Sequence, residues 1–561
     1  MVGLGAVIGL ATTLFFFHLG AYGLFEPDEG RYAEIAREML ASRNFIVPHL
    51  NYVPYIEKPP LLYWLTALAM RLLGVNEFAA RFANALAAFA GVALTCAFTR
   101  HVFDPRRAIL AGAILATSAL YAVMAQVLTT DMLLTALTTA AFFALFLDWR
   151  DGGGWRWWAY LAMALAVLTK GPVGAALPLT AGAIFLWREG ALAGAWRRFS
   201  LIPGAILIAI VAGPWFVAIT LRLPGYFDFY FIGEHFRRFF QPGYSHKEPL
   251  YYFAPVLLGG LLPWTLALPL IPWRWLRPNP ARRYCLIAAA VVLVVFSLAR
   301  AKLVPYILPA FPPLAVIIAD GLASTLESGA ARRLAWLGPL LGCASAAAFT
   351  VALTATHFRA PYPAVVRPAL YVAGAVLAAG GIGAFAAFRL RRGAIGLAAF
   401  VATAAVTIIV IGYGRLMAEP LRSYATLART INRLEPDARL VCYPRYVQSL
   451  PFYARRRVIV VGGWTELTFG AEHSADAANY FFTRRADLVR LWNDPRPTVF
   501  VIDRAALPVL RRIFGPWREI AADQRKVAIM RSSTAPAAGA NPPNAASASI
   551  RDRSPATSAN E

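Results

Sequence analysis

Apolar residues come in long runs from the N-terminus to about residue 415, separated by short polar segments that are rich in arginine. A window of about 19 residues, the length that carries an α-helix across a bilayer, picks these runs out. They lie near 2–24, 78–99, 107–127, 131–147, 157–169, 172–187, 199–220, 250–272, 284–299, 303–320, 334–355, 367–389 and 394–414. About thirteen helical crossings are predicted. Past residue 415 the pattern changes, and Tyr424 to Arg531 mixes helix-like stretches such as SYATLARTINRL with short β-branched runs, ARLVCY, RRVIVVG and PTVFVID. That alternation predicts a small α/β domain. The expected organisation is a membrane part at 1–415 with a long first loop at 25–75, an α/β domain at 416–531, and a tail at 532–561. The tail, STAPAAGANPPNAASAS and onward, lacks apolar periodicity and reads as disordered.

Composition sharpens this into an α-helical polytopic membrane protein. The 561 residues are 59% hydrophobic and 15% charged, with a mean hydropathy of +0.55, which excludes an ordinary soluble domain. A formal charge of +24 would suit a nucleic-acid partner, but the Lys and Arg fall between apolar runs and form no continuous basic face. Alternating sides from the first helix puts RHVFDPRR, DWRDGGGWRW, WREGALAGAWRR, WRWLRPNPARR and RLRRG on one face. Short Arg-rich loops mark the cytoplasmic side, so the first loop and the α/β domain are expected outside it. The first run lacks a basic leader and a small-residue cleavage signal and reads as a retained helix. Cys96, Cys285, Cys343 and Cys442 are too dispersed to suggest a disulfide framework or a paired-Cys metal site.

Candidate chemistry gathers on the outer side. FEPDEGRYAEIAREML, Phe25 to Leu40, follows the first crossing directly and places Glu26, Asp28 and Glu29 at the bilayer's edge. Two readings fit. Pro27 suits a first helical turn and acids favour its positive end, so the carboxylates serve as caps of an interfacial helix; alternatively, charges held at membrane level are costly and mark a chemical site. Helical spacing sets Asp28 beside Arg31 and Tyr32. YIEKPPLLYW adds Glu57 and Lys58, for which a simple salt bridge at a helix start is the competing explanation. Further polar residues recur at the ends of apolar runs on the same face: Gln126, Thr129, Thr130 and Asp131, then Thr169 and Lys170, then Arg237, Arg238 and His246, and finally Arg300, Lys302 and Tyr306. Their coincidence argues for one cavity opening outward. Its acids suit proton transfer or metal binding, and its cations suit a phosphate. No Walker A sequence or strand-led GxGxxG accompanies them, so a phosphate carried on a lipid is favoured over a nucleotide.

EPDEGRYAEIAREML, YIEKPPLLYW, QVLTTDMLLT, LTKGPVG and KLVPYILPAFPPLA together resemble the GT-C membrane glycosyltransferases of the protein-mannosyltransferase-like superfamily, with the lipid A aminoarabinose transferases as the nearest branch. The resemblance runs in order through the whole membrane part. It implies an enzyme of the bacterial inner membrane, facing the periplasm, that moves a sugar from an undecaprenyl phosphate carrier to lipid A or a related glycolipid of the lipopolysaccharide. It further implies Asp28 as the catalytic acid, and Arg31, Tyr32, Lys58, Lys170 and Lys302 as holders of the donor phosphate. Glu29, Asp131, Arg237 and Tyr306 would line the acceptor and sugar cavity. Glu57 and His246 would be the ligands of a divalent metal, zinc or another, which is the one candidate cofactor. Transfer to Ser or Thr hydroxyls, as in protein O-mannosyltransferases, is the alternative within this class. A lipid-linked sugar flippase is the rival from another class, and the inverted repeats that would favour it are not visible. A mere anchor for an outer assembly platform would need one helix, not thirteen or so.

Overall fold

A computed structural model describes residues 2–237, 248–271, 279–354, 361–463 and 465–532. The chain is a helical membrane protein carrying a mixed α/β domain at its C-terminal end. Eight helices among the described residues are long and apolar enough to cross a bilayer, or up to ten if each of two bent pairs is one span. The first pair, Pro105–Ala116 and Ala119–Ala125, bends by 67°. Its break falls at Thr117 and Ser118, whose hydroxyls bond back to the carbonyls of Ala113 and Ile114 and so end the first helix there. The second, Leu250–Gly260 and Trp264–Leu270, bends by 98° around Pro263, which has no amide to donate.

The described residues therefore do not confirm the expected count of thirteen. The other three apolar runs form helices of 15 residues (Val2–Phe16), 16 residues (Trp155–Lys170) and 16 residues (Val173–Arg188). At 1.5 Å per residue these measure roughly 22–24 Å, short of the ~30 Å hydrocarbon layer. The helix that starts at Gly393 continues through Arg422, past the boundary drawn at 415. Most of the tail expected at 532–561 lies outside the described residues.

Three helices and a hairpin place the candidate site. After α1 (Val2–Phe16), the first loop folds into α2 (Asp28–Ser42), a small hairpin of β1 (His49–Leu50) and β2 (Val53–Pro54), and α3 (Leu61–Leu73). The C-terminal domain contributes β3 (Arg439–Tyr443), β4 (Val458–Val461), β5 (Phe481–Phe482), β6 (Thr498–Asp503), β7 (Trp517–Ala522) and β8 (Lys526–Arg531). They form one sheet in the order β5-β4-β3-β6-β8-β7, parallel from β5 to β6 and antiparallel beyond. Alternate residues of β3 and β6 enter different cores, Val441, Phe500 and Ile502 with Trp492 and Phe514 on one face, Leu440, Cys442, Val499 and Val501 on the other. Because both faces are covered, these strands read as unbroken β-branched runs in the sequence.

The second of those cores is continuous with that of the membrane part, so the sheet is seated on the first loop. Polar contacts fix the seat. Asn51 donates to the Val458 carbonyl at 2.9 Å and accepts from its amide at 2.8 Å. Glu26 accepts from the amides of Ser449 at 2.7 Å and Gln448 at 3.0 Å. A Cβ at Gly30 would stand 2.6 Å from the Ser449 backbone nitrogen, so glycine is required where α2 meets the outer domain.

Candidate active site

The two acids that open α2 do different work. Pro27 is the N-cap, and no side chain caps the helix. Glu29 is 2% exposed and fully committed: Arg81 Nε and Nη2 donate to its two oxygens at 2.8 and 2.7 Å, and the amides of Phe25 and Leu128 donate at 3.0 Å each. Burial alone would raise its pKa, but the Arg81 guanidinium and these donors outweigh burial and hold the carboxyl below its ordinary value. Glu29, expected in the sugar cavity, forms a buried ion pair that ties α2 to the helix Glu77–Val102.

Asp28 is open instead. Its side chain is 48% exposed, with Arg31 Nη1 3.4 Å from Oδ1. Arg31 is tucked in, 15% exposed, and its Nη2 donates to Glu466 Oε2 at 2.6 Å, a residue of the outer domain. Glu466 also accepts from Gln448 Nε2 at 2.6 Å. Burial raises the Glu466 pKa even though Arg31 pulls it down. Around this pair stand three buried tyrosines, Tyr32, Tyr55 and Tyr63, each with its phenol pushed well up by burial. Tyr55 lies under Arg31, 5.9 Å from guanidinium carbon to ring centre, and donates to Glu57 Oε2 at 2.8 Å. Lys58 reaches back to the Glu57 carbonyl at 3.1 Å, and both side chains are half-buried. Two buried donors, Arg31 Nε and Tyr63 Oη, have no hydrogen-bond partner among the described residues. Orphaned buried donors are rare in native proteins and suit a site whose acceptor comes with a substrate.

A second group forms where the helix Thr130–Asp151 begins and the helix Trp155–Lys170 ends. Asp131, 7% exposed, is ion-paired with Lys170, whose Nζ lies 4.2 Å from the Tyr306 ring centre. Lys302 is 4% exposed and donates to the Glu248 carbonyl at 2.9 Å, at the edge of the undescribed stretch 238–247. Arg237 ends the π-helical segment Asp228–Arg237, and its side chain lies outside the described residues, as do Arg238 and His246. The metal pair cannot be assembled from what is described: Glu57 is engaged by Tyr55, and among the described residues no group of three or more His, Cys, Asp or Glu is placed to hold a metal.

Glu466, Gln448 and Arg81 escaped the sequence reading. Each meets the first loop through a contact that no local periodicity encodes. A weak signal existed for Glu466, an acid beside the C-terminal end of a predicted strand, where open parallel sheets carry their functional loops.

Comparison with known proteins matches this geometry. Residues 57–217 fit the family described as dolichyl-phosphate-mannose-protein mannosyltransferase, and residues 427–531 fit the aminoarabinose transferase C-terminal domain. The undecaprenyl phosphate-alpha-4-amino-4-deoxy-L-arabinose arabinosyl transferase of Pectobacterium atrosepticum is 33% identical over 412 residues, 69% of this chain and 71% of that protein. The chain belongs to the aminoarabinose transferase family. The like-named protein of Aeromonas salmonicida is 33% identical over 351 residues, 60% of this chain and 63% of its own length, so that match spans less than two thirds of the relative. The solved structure of ArnT from Cupriavidus metallidurans bound to undecaprenyl phosphate superposes with a TM-score of 0.85 at 28% identity, covering 95% of this chain and 98% of that one. Family membership thus accounts for the joint presence of the helical membrane part and the C-terminal α/β domain.

Proposed function

We propose that this protein is a glycosyltransferase that moves 4-amino-4-deoxy-arabinose from undecaprenyl phosphate to a lipid A acceptor at the outer face of the bacterial inner membrane. The observation that carries the reading is half-exposed Asp28 beside Arg31, with Lys58 on the same loop, in a fold shared over 95% of the chain with a relative solved with undecaprenyl phosphate. The match of residues 427–531 to the aminoarabinose transferase C-terminal domain favours an aminoarabinose donor over transfer to protein hydroxyls.

The reaction breaks the bond between the sugar's anomeric carbon and the carrier phosphate and forms one to an acceptor oxygen. Negative charge grows on the departing polyprenyl phosphate, and Arg31 and Lys58 stabilise it there. In this reading Arg31 exchanges Glu466 for the phosphate, and the orphaned donors Arg31 Nε and Tyr63 Oη lie within the same group. A phosphate acceptor is already an anion and needs no base, so Asp28 holds the sugar's ammonium group and orients the anomeric carbon. Asp131, Lys170, Tyr306 and Lys302 form the inner wall. Glu57 keeps Tyr55 in place under Arg31.

Mass spectrometry of lipid A from cells with and without the intact gene tests the acceptor. The expected result is loss of the aminoarabinose-bearing species. An unchanged lipid A profile beside lost glycopeptides would move the acceptor to protein.

A further inference from the structure

The C-terminal domain carries a second polar cavity, lined by none of the residues that form the α2 site. The loops that meet the first loop, with Gln448 and Glu466, follow the C-terminal ends of β3 and β4. At the opposite, N-terminal ends of β3, β4 and β6 lies a cavity of about 960 Å³. Five arginines line it: Arg439, Arg456, Arg457, Arg490 and Arg496. Three aspartates, Asp437, Asp476 and Asp494, oppose them, so the lining keeps a surplus of two positive charges (five minus three).

The arrangement is specific. Arg457 lies flat on Tyr480, 3.7 Å from guanidinium carbon to ring centre, and pairs with Asp476. Arg490 lies 5.2 Å from the centre of Phe482. Asp494 is shared by Arg496 at 2.7 Å and Arg439 at 3.1 Å, and these two guanidinia hold its carboxyl well below the usual range, the mark of a positive local field. Arg456 directs its Nη groups to Asn432 and to the carbonyls of Glu435 and Pro436 and meets no carboxylate among the described contacts. Burial lowers its pKa even though the Asp437 carboxylate pulls it up, a cost that an arriving anion would offset further.

The mixture of groups narrows the ligand. Guanidinium forks match phosphate oxygens, whereas the exposed aspartates and Asn479 accept from and donate to hydroxyls. Carboxylates in the lining disfavour a polyanion such as nucleic acid. The cavity lies at the end of the strands opposite the loops that carry Gln448 and Glu466. We propose that this arginine-lined cavity of the outer domain binds a phosphorylated saccharide, as a free sugar or as the head group of a glycolipid. It is a site separate from the one that transfers the sugar.

The test is isothermal titration calorimetry on the full chain in detergent with a phosphorylated glucosamine disaccharide, free and carried on acyl chains in mixed micelles. Parallel titrations use the unphosphorylated disaccharide and inorganic phosphate. The free phosphorylated form is expected to bind with a sub-millimolar dissociation constant, tighter than either fragment. Arg490→Gln with Arg496→Gln, both at largely exposed side chains, is expected to weaken it by about tenfold or more. Lys58→Ala is expected to leave it unchanged. Binding that the double variant weakens supports the site: of the free form alone it identifies a soluble ligand, of the acylated form a head group. Binding of neither overturns the proposal, as does binding that the double variant keeps, or inorganic phosphate binding as tightly as the disaccharide.

Discussion

Single residues divide the opening motif into a structural and a chemical half. Glu29→Ala leaves Arg81 as a fully buried guanidinium without its carboxylate. Breaking such a pair costs about 3–5 kcal/mol, and the variant is expected to melt well below the parent or to fail to accumulate. Asp28, half-exposed and capping nothing, is expected to tolerate Asn with little change in melting temperature. Glu466 offers a finer test. Glu466→Gln keeps the size and an acceptor for Gln448 but removes the anion that competes with a phosphate for Arg31. Donor KM is expected to fall several-fold, with kcat changed less; a several-fold rise would mean that the charge of Glu466 is needed to hold Arg31 in place. The sequence made Asp28 and Arg31 legible because helical spacing joins them. It could not separate Glu29 from Asp28, since what distinguishes them is Arg81, 52 positions away, and Glu466 is brought in by the seating of an entire domain.

Among the elements, the join between α2 and the outer domain is the most exposed to test. Gly30 lets α2 approach the Ser449 backbone to a distance no Cβ allows, so Gly30→Ala must push the two apart. Transfer activity is expected to fall while the helical content measured by far-UV circular dichroism stays constant; retained activity would show that the seat does not matter to the site. Glu26 lies in the same seam, and burial pushes its carboxyl up to about 7. A carboxyl raised from 4.5 holds its proton longer in the folded state, so its contribution to stability is fully present below pH 4.5 and is lost as pH rises through 7. The melting temperature of the parent is therefore expected to drop between pH 5 and pH 8, and Glu26→Gln to flatten part of that slope; an identical slope in both would exclude Glu26 as a source. Elements of this kind were legible where they are long and periodic, as in the spans and in the β-branched runs of β3, β4 and β6. Bent pairs and short helices were not, because an apolar run records burial without recording where Thr117, Ser118 or Pro263 breaks the helix.

For the whole molecule, the α/β domain is not an appendage. It supplies Glu466 and Gln448 to a site whose other residues come from a loop hundreds of positions earlier in the chain, and its far edge carries the arginine cavity. The class of the molecule, a many-span membrane protein with a C-terminal α/β domain, followed from the distribution of apolar runs. The fit between the two parts did not, because complementary surfaces leave no periodic trace. The central claim is that Asp28 serves sugar transfer at the membrane's edge. It is tested most directly by reconstituting the parent and Asp28→Asn in liposomes and measuring transfer of aminoarabinose from undecaprenyl phosphate to lipid A, with folding checked by melting temperature. The expected result is two variants that melt alike, with transfer by Asp28→Asn reduced by at least ~100-fold. A folded Asp28→Asn protein that transfers sugar at close to the parental rate would contradict the account.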